Sequence, residues 1–332
     1  MKIPPLKLRI FIYIAIILFF VLCFYLMTYM PGKSYAGSFP VLTKPQIILA
    51  NKYQEQLESF SIKPHNSQNL GELKKVENYL ENQLKNNGFE NIFVQKYLDM
   101  EAKNFEVIIE PKKEVKNTVV IGAHYDSADI SPGADDNGSA VVILLELAKR
   151  FKERFDSEHT RICIVLFANE EPPFFGVGLM GSQVYAKYLH DKKENITAMY
   201  ALDALGYYSE QEKTQHYPYM FAPFYPSKGN FVAFVGNLHS RALVVDTVTS
   251  FRKTAKFPSE AISALGNIPG ISYSDHRSFY EYNVPALMIT DTAFNRNPHY
   301  HTAQDTIDKL DLGKMAQLTD ELEIMFRNLY EK

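Results

Sequence analysis

Residues 118–123 (TVVIGA), 162–168 (ICIVLFA) and 197–202 (TAMYAL) form three short runs without a charged residue, separated by stretches of helical apolar period. A strand that is apolar on every residue has both faces buried, as in a parallel sheet covered by helices on each side. Val141, Leu144, Leu145, Ala148 and Phe151 mark one helix face between the first two runs, and a second helix is expected near 180–190. Residues 285–290 (PALMIT) read as a further strand, and Met315, Leu318, Leu322, Met325 and Leu329 as the stripe of a closing helix. Upstream, the pattern predicts strands near 91–97 and 104–110 and a helix over 70–86. In that helix Leu73, Val76, Leu80 and Leu84 share a face, Asn69 and Glu72 make a capping-box pattern, and Gly88 supplies the stop. The alternation predicts an α/β fold: a mostly parallel central sheet, mixed, with antiparallel edge strands, flanked by helices on both faces. One domain is expected over residues 46–332.

Residues 10–30 (IFIYIAIILFFVLCFYLMTYM) carry no charge, and an α-helix needs about 20 residues to cross a bilayer core. They are read as a transmembrane signal-anchor helix, with the lipid bilayer as partner. Lys2, Lys7 and Arg9 precede it, against Lys33 and Lys44 beyond it. The positive-inside bias then makes residues 1–9 a short cytoplasmic tail, residues 31–45 a spacer, and the domain extracytoplasmic. The alternative is secretion after cleavage near Ala36, since Ser34-Tyr35-Ala36 offers a small-x-small site, although the apolar run exceeds the usual ~7–15-residue signal core.

With 35 basic and 38 acidic residues the net charge is −3, so no general positive field exists for a phosphate backbone, and nucleic acid is excluded as a leading partner. Cys23 and Cys163 are the only cysteines. They make neither a disulfide framework nor a Cys-rich zinc site, so any metal must use His and carboxylates.

Ligands of open α/β sheets bind beyond the carboxyl ends of the strands. His124-Tyr125-Asp126-Ser127 directly follows the first run, and residues 133–139 (GADDNGS) open the next helix. Asn169-Glu170-Glu171-Pro172-Pro173 follows the second run, Asp203 the third, and residues 299–306 (HYHTAQDT) come after 285–290. Taken singly, a His-x-Asp is ordinarily a hydrogen-bonded surface pair and adjacent acids a solvated loop. Glu170 and Glu171, however, follow an apolar strand, and Pro172-Pro173 removes backbone donors that would satisfy them locally. Crowded with Asp136 and Asp203, these acids repel unless cations neutralise them. The joint pattern points to a metal site.

The charge suits two divalent ions, because three ligating carboxylates, two Zn2+ and one bridging hydroxide sum to zero. Imidazole with carboxylate favours zinc over calcium or magnesium, with Mn2+ or Co2+ as substitutes. One acid should stay free of metal to take the water's proton.

The segments GAHYDS, PGADDNGS, ANEEP, LDALG and YHTAQDT, in this order, make roughly residues 70–330 resemble the M28 family of zinc peptidases. The resemblance implies a zinc-dependent exopeptidase fold, with His124, Asp203 and bridging Asp136 on one zinc and Glu171, His301 and the same Asp136 on the other. It implies Glu170 as general base and acid, assisting attack by a metal-bridged hydroxide. Asp126 would orient His124, Asp305 would do the same for His301, and Tyr300 would help stabilise the tetrahedral oxyanion. By composition alone Asp135 competes with Asp136, and His299 with His301; the family pattern favours the acid directly before Asn137 and the histidine that opens His-Thr-x-x-Asp-Thr. A cis peptide between Asp136 and Asn137 is also implied.

The expected activity is removal of N-terminal amino acids from peptides, the substrate being a peptide with a free N-terminus. One rival is a glutaminyl-cyclase-like acyltransferase with a single zinc; such enzymes resemble a pattern with Trp before the last His ligand, where Tyr300 stands in a chain that has no Trp. The other is a non-catalytic receptor-like ectodomain, which typically loses ligands or the base.

Ser274-Asp275-His276 resembles a further family segment beside the site, with no role assigned. His65, His159, His190, His216 and His239 are expected at the surface or in packing. Asn137-Gly138-Ser139 and Asn195-Ile196-Thr197 formally match glycosylation acceptors, the first overlapping the metal loop. Tyr217, Tyr219, Phe221, Phe224 and Tyr225 cluster in a proline-rich stretch. They either wall a substrate pocket or simply pack, and in the first case apolar N-terminal residues are the preferred substrates.

Overall fold

The computed structural model describes residues 5–97, 102–218 and 220–331. In chain order the elements are α1 (Leu6–Thr28), α2 (Lys44–Phe60), α3 (Leu70–Asn86), β1 (Phe93–Lys96), β2 (Lys103–Ile109), β3 (Asn117–His124), α4 (Ala140–Arg154) and β4 (Thr160–Phe167). Then follow α5 (Gly181–Asp191), β5 (Ile196–Asp203), β6 (Val232–Asn237), α6 (Arg241–Thr254), β7 (Ser259–Ala264), α7 (Arg277–Tyr280), β8 (Ala286–Thr290) and α8 (Leu312–Tyr330).

The strands form one sheet in the order β1-β2-β4-β3-β5-β8-β6-β7. The central four, β4, β3, β5 and β8, are mutually parallel. β2 joins β4 antiparallel, β1 joins β2 antiparallel, and the parallel pair β6 and β7 is attached antiparallel to β8. This is the expected mixed sheet. Val119, Ile121 and Ala123 of β3 face one core, shared with α2, α3, α4, α6 and α8, while Val120 faces a second core under α5. Burial on both faces is why the run 118–123 contains no polar alternation.

Thr43 caps α2 by accepting the amide of Gln46, whose side chain accepts the Thr43 amide in return. Leu49, Tyr53, Leu57 and Phe60 bury one stripe, and Tyr53 Oη lies 2.8 Å from Thr319 Oγ1 of α8. The expected spacer over 31–45 is therefore too long by its last residues. Its earlier part is also docked: Arg252 Nη1 donates to Pro31 O at 3.1 Å and Ser259 N to Ser34 Oγ at 2.8 Å. Asn69 does not cap α3 with its side chain; its amide donates to Asn66 Oδ1 instead, and Glu72 pairs with Lys75. β7 carries no strong pattern, because it is a sheet edge whose Glu260 and Ile262 are only half-buried.

α1 buries none of its residues and is long and apolar enough to cross a membrane.

Candidate metal centre

His124 is the last residue of β3 and Asp203 the last of β5. β3 lies between β4 and β5, so the chain leaves it for β4 through α4 and passes back to β5 through α5, the two helices packing in different cores. The connecting loops part above β3 and leave a crevice there. The loop that opens α4 turns at Gly133, whose φ is +68°; a Cβ at that position would stand 2.8 Å from Asp136 O. The Asp136-Asn137 peptide is cis, as the resemblance implied.

Distant residues hold this loop. Asn137 Nδ2 donates to His124 O (3.2 Å) and Leu202 O (3.1 Å), and its Oδ1 accepts the Ala204 amide at 3.0 Å. These bonds tie the ends of β3 and β5 together, a role the sequence reading missed; buried and fully engaged, Asn137 is no glycosylation acceptor. Asp305 accepts the amides of Asp135 (3.0 Å) and Asp136 (3.2 Å). That carboxylate thus holds the loop that carries Asp136. Asp135 turns away, taking Gly206 N at 2.9 Å and Asn297 Nδ2 at 2.8 Å.

The side chains converge as three groups: His124, Asp136 and Asp203; Asp136, Glu171 and His301; and His124, Glu170 and Glu171, the ligand atoms of each lying within 4.8 Å of one another. Asp136 belongs to the first two. Its Oδ1 lies 3.3 Å from His124 Nε2 and its Oδ2 lies 3.0 Å from His301 Nε2. Asp203 Oδ2 is 3.7 Å from His124 Nε2, and Glu171 Oε1 is 3.1 Å from His301 Nε2. Glu170 Oε2 stands farther off, 4.0 Å from His124 Nε2. His299 belongs to none of these groups. His124 Nδ1 faces the backbone oxygen of Asp126 at 3.1 Å, with the Asp126 carboxylate at 3.7 Å. That carboxylate chiefly accepts the amides of Glu170 and Glu171.

Protons crowd into this cluster. Burial favours a neutral His301, but the adjoining carboxylates of Asp136 and Glu171 outweigh it and hold the imidazole up at about 10. Burial likewise opposes the charge on His124, yet Glu170, Asp126, Asp136 and Asp203 raise it well above its usual value. Asp136, though buried, is held well below the carboxylate range by His124 and His301. Burial and the Asp136 charge lift Glu171 to about 8, and burial with the charges of Glu171 and Asp275 lifts Glu170 far up. Glu171 Oε1 is buried and aligned in no hydrogen bond, although His301 Nε2 stands 3.1 Å away. Two imidazoles, carboxylates that repel one another and an unsatisfied oxygen make a donor set suited to cations of the zinc type.

Tyr300 stacks on His301 with ring centroids 3.8 Å apart and lines an apolar cleft beside Asp203. Tyr217, Phe221 and Tyr225 line that cleft, and Phe224 lies outside it; Tyr219 falls outside the described residues. Asp275 is fully buried, with no hydrogen bond to either carboxylate oxygen, and burial raises it to about 7. Nothing in its sequence surroundings signals that isolation. Of the remaining histidines, His65 is buried and packs on Phe60, and His190, His216 and His239 are exposed.

The profile described as peptidase family M28 matches residues 104–323. The uncharacterized protein YfbL of Escherichia coli K12 is 39% identical over 219 residues, covering 63% of this chain and 66% of that protein. Leucine aminopeptidase 1 of Ajellomyces dermatitidis is 31% identical over 235 residues, covering 64% of this chain and 53% of that protein. The chain thus spans between about half and two thirds of the curated relatives it matches. Among solved structures, the LapA aminopeptidase of Legionella pneumophila superposes with a TM-score of 0.66 at 18% identity, covering 90% of this chain and 78% of that one. A glutaminyl cyclase of Bacteroides thetaiotaomicron gives 0.62 at 18% identity, covering 88% and 99%. At these identities the likeness to the two structures is one of fold.

Proposed function

This chain belongs to peptidase family M28, and from that premise we propose that it is a membrane-anchored zinc aminopeptidase. The observation that carries the reading is Asp136, which presents one carboxylate oxygen to His124 and the other to His301. His124, Asp203 and Asp136 would hold one zinc, and Glu171, His301 and Asp136 a second, with Mn2+ or Co2+ as substitutes. Such ions, when bound, supply a water that ionises near neutral pH and a polarised carbonyl.

The chain's own residues do the rest. Glu170 stands back from both groups built on Asp136, 4.0 Å from His124, and as a carboxylate belonging to neither it would take a proton from water and return it to the leaving amine. Tyr300, at the junction of the cleft and the cluster, would donate its phenol hydrogen to the developing oxyanion. The α-ammonium group of a peptide would meet Glu170 and Asp203, which restricts the reaction to the first residue. The cleft would take that residue's side chain. Asp126 and Asp305 act through the loops, as their hydrogen bonds to backbone amides indicate.

α1 is assigned as the anchor of an extracytoplasmic domain, with residues 1–9 cytoplasmic and the peptidase domain running from the start of α2 at Lys44 to 332. Retention is favoured over cleavage near Ala36, because Pro31 and Ser34 are bonded to the domain.

The test is metal analysis of the detergent-solubilised full chain, alongside hydrolysis of leucyl-p-nitroanilide, its N-acetyl derivative and a glutaminyl peptide. Two zinc ions per chain with chelator-sensitive release from the free amine only supports the proposal. One zinc with pyroglutamate formation would assign the cyclase chemistry instead. Neither metal nor turnover would leave a non-catalytic module.

A further inference from the structure

The far end of α1 is fastened to the domain. Phe24 packs on Phe221 and Phe224 with ring centroids 5.7 and 4.7 Å apart, and Met27 packs against the cluster containing Phe231, Ala233, Ile271 and Met288. Just beyond the helix, Arg241 Nη2 donates to Tyr29 O at 3.2 Å and Arg252 Nη1 to Pro31 O at 3.1 Å. These contacts set the direction in which the helix leaves. Phe221, Phe231, Ala233, Ile271 and Met288 also line the apolar cleft. One layer of side chains therefore separates the helix end from the cleft. On the outer side of that layer Met220 and Phe224 are 56% and 61% exposed.

Resting on the reading that α1 spans a bilayer, we propose that Met220 and Phe224 form a second lipid contact in the same leaflet, so that the substrate cleft lies against the membrane surface. An α-helix rises about 1.5 Å per residue, which puts Phe24 roughly 6 Å to the membrane side of Thr28. Phe224, in ring contact with Phe24, shares that depth. Tyr25 and Tyr29 stack at 4.8 Å and are half exposed, as expected of aromatic side chains at the headgroup level. An apolar side chain at this boundary leaves water for the acyl region, which favours insertion. The substrates that reach the cleft most readily are then peptides whose N-termini lie at the bilayer surface.

The chain contains no tryptophan, so single replacements report without background. Phe19→Trp, Phe224→Trp and Ile62→Trp are each made in the full chain and reconstituted in phosphatidylcholine vesicles with and without brominated acyl chains. Met220→Trp repeats the measurement at the neighbouring position in case Phe224→Trp disturbs the contact with Phe24. The expected result is blue-shifted emission quenched by bromine at positions 19 and 224, or 19 and 220, with position 62 unquenched. Quenching at 19 alone overturns the proposal and leaves the anchor standing. No quenching at 19 overturns both. Quenching at all positions, 62 included, means unspecific adsorption and overturns the second contact.

Discussion

The carboxylate of Asp126 accepts the backbone amide of Glu170 at 3.0 Å, across 44 residues of chain. Its other oxygen takes the amide of Glu171 at 3.1 Å. The loop leaving β3 thereby fixes the two acids that leave β4. In Asp126→Asn, an NH2 group faces an amide donor and one bond is lost. Zinc affinity is expected to fall about 10–100-fold, as for other residues that orient metal ligands. Competition with a chelating dye measures it, and an unchanged affinity would remove Asp126 from the positioning role.

Glu170→Gln keeps the shape of the side chain and deletes its proton chemistry. Zinc content is expected to hold while kcat falls roughly 10²–10⁴-fold, the usual contribution of a positioned general base. Near-normal turnover in this variant would refute the assignment.

Asp135 and Asp136 separate by substitution. Asp135→Asn should keep the zinc and cost about 1–3 kcal/mol of stability, since one of its two buried acceptor oxygens no longer meets a donor. Asp136→Ala should lose metal from both positions. Metal analysis with denaturant titration reads both outcomes, and the reverse result would mean that Asp135 is the shared acid.

Glu260 lines the apolar cleft, with Arg252 Nη2 at 3.6 Å, and burial raises it to about 7 from an ordinary 4.5. The folded state therefore binds a proton that the unfolded state has released between these values. Stability from this group falls as pH rises through that window and recovers as pH drops toward 4.5. Glu260→Gln should remove this component, so the stability difference between variant and wild type should be larger at pH 8 than at pH 5. Denaturation at the two pH values checks it.

The cleft is lined largely by Phe, Tyr, Ile, Met and Ala side chains. Leucyl, methionyl and phenylalanyl anilides are expected to exceed the aspartyl anilide in kcat/KM by about tenfold or more, because a carboxylate would be desolvated there beside Glu260 and Asp203. A preference for aspartyl or lysyl substrates in such a panel would count against the cleft as the first-residue pocket.

Much of this architecture was legible in the chain alone. β3, β4 and β5 end within a residue of the runs at 118–123, 162–168 and 197–202, and α3 spans the expected 70–86. Strands buried on both faces must be apolar throughout and helices that cover them must repeat at helical period, so this information is local. In α2 Leu49, Tyr53 and Leu57 repeat every fourth residue, but the exposed Ile47 and Ile48 beside them blur the periodic signal. β7 is an edge strand with one side unpaired, so little in its composition is constrained.

The sequence by itself determined which kinds of side chain stand at the strand ends, since connection order and strand direction alone bring those ends to one side. Which neighbour does which task was decided only by the fold. Asp135 and Asp136 are chemically identical and adjacent, yet one is turned inward by Gly206 and Asn297 while the other meets His124 and His301. Asp305 likewise reaches amides some 170 residues away. A buried polar atom takes the partner that folding delivers to it, and for these atoms the partners come from distant parts of the chain.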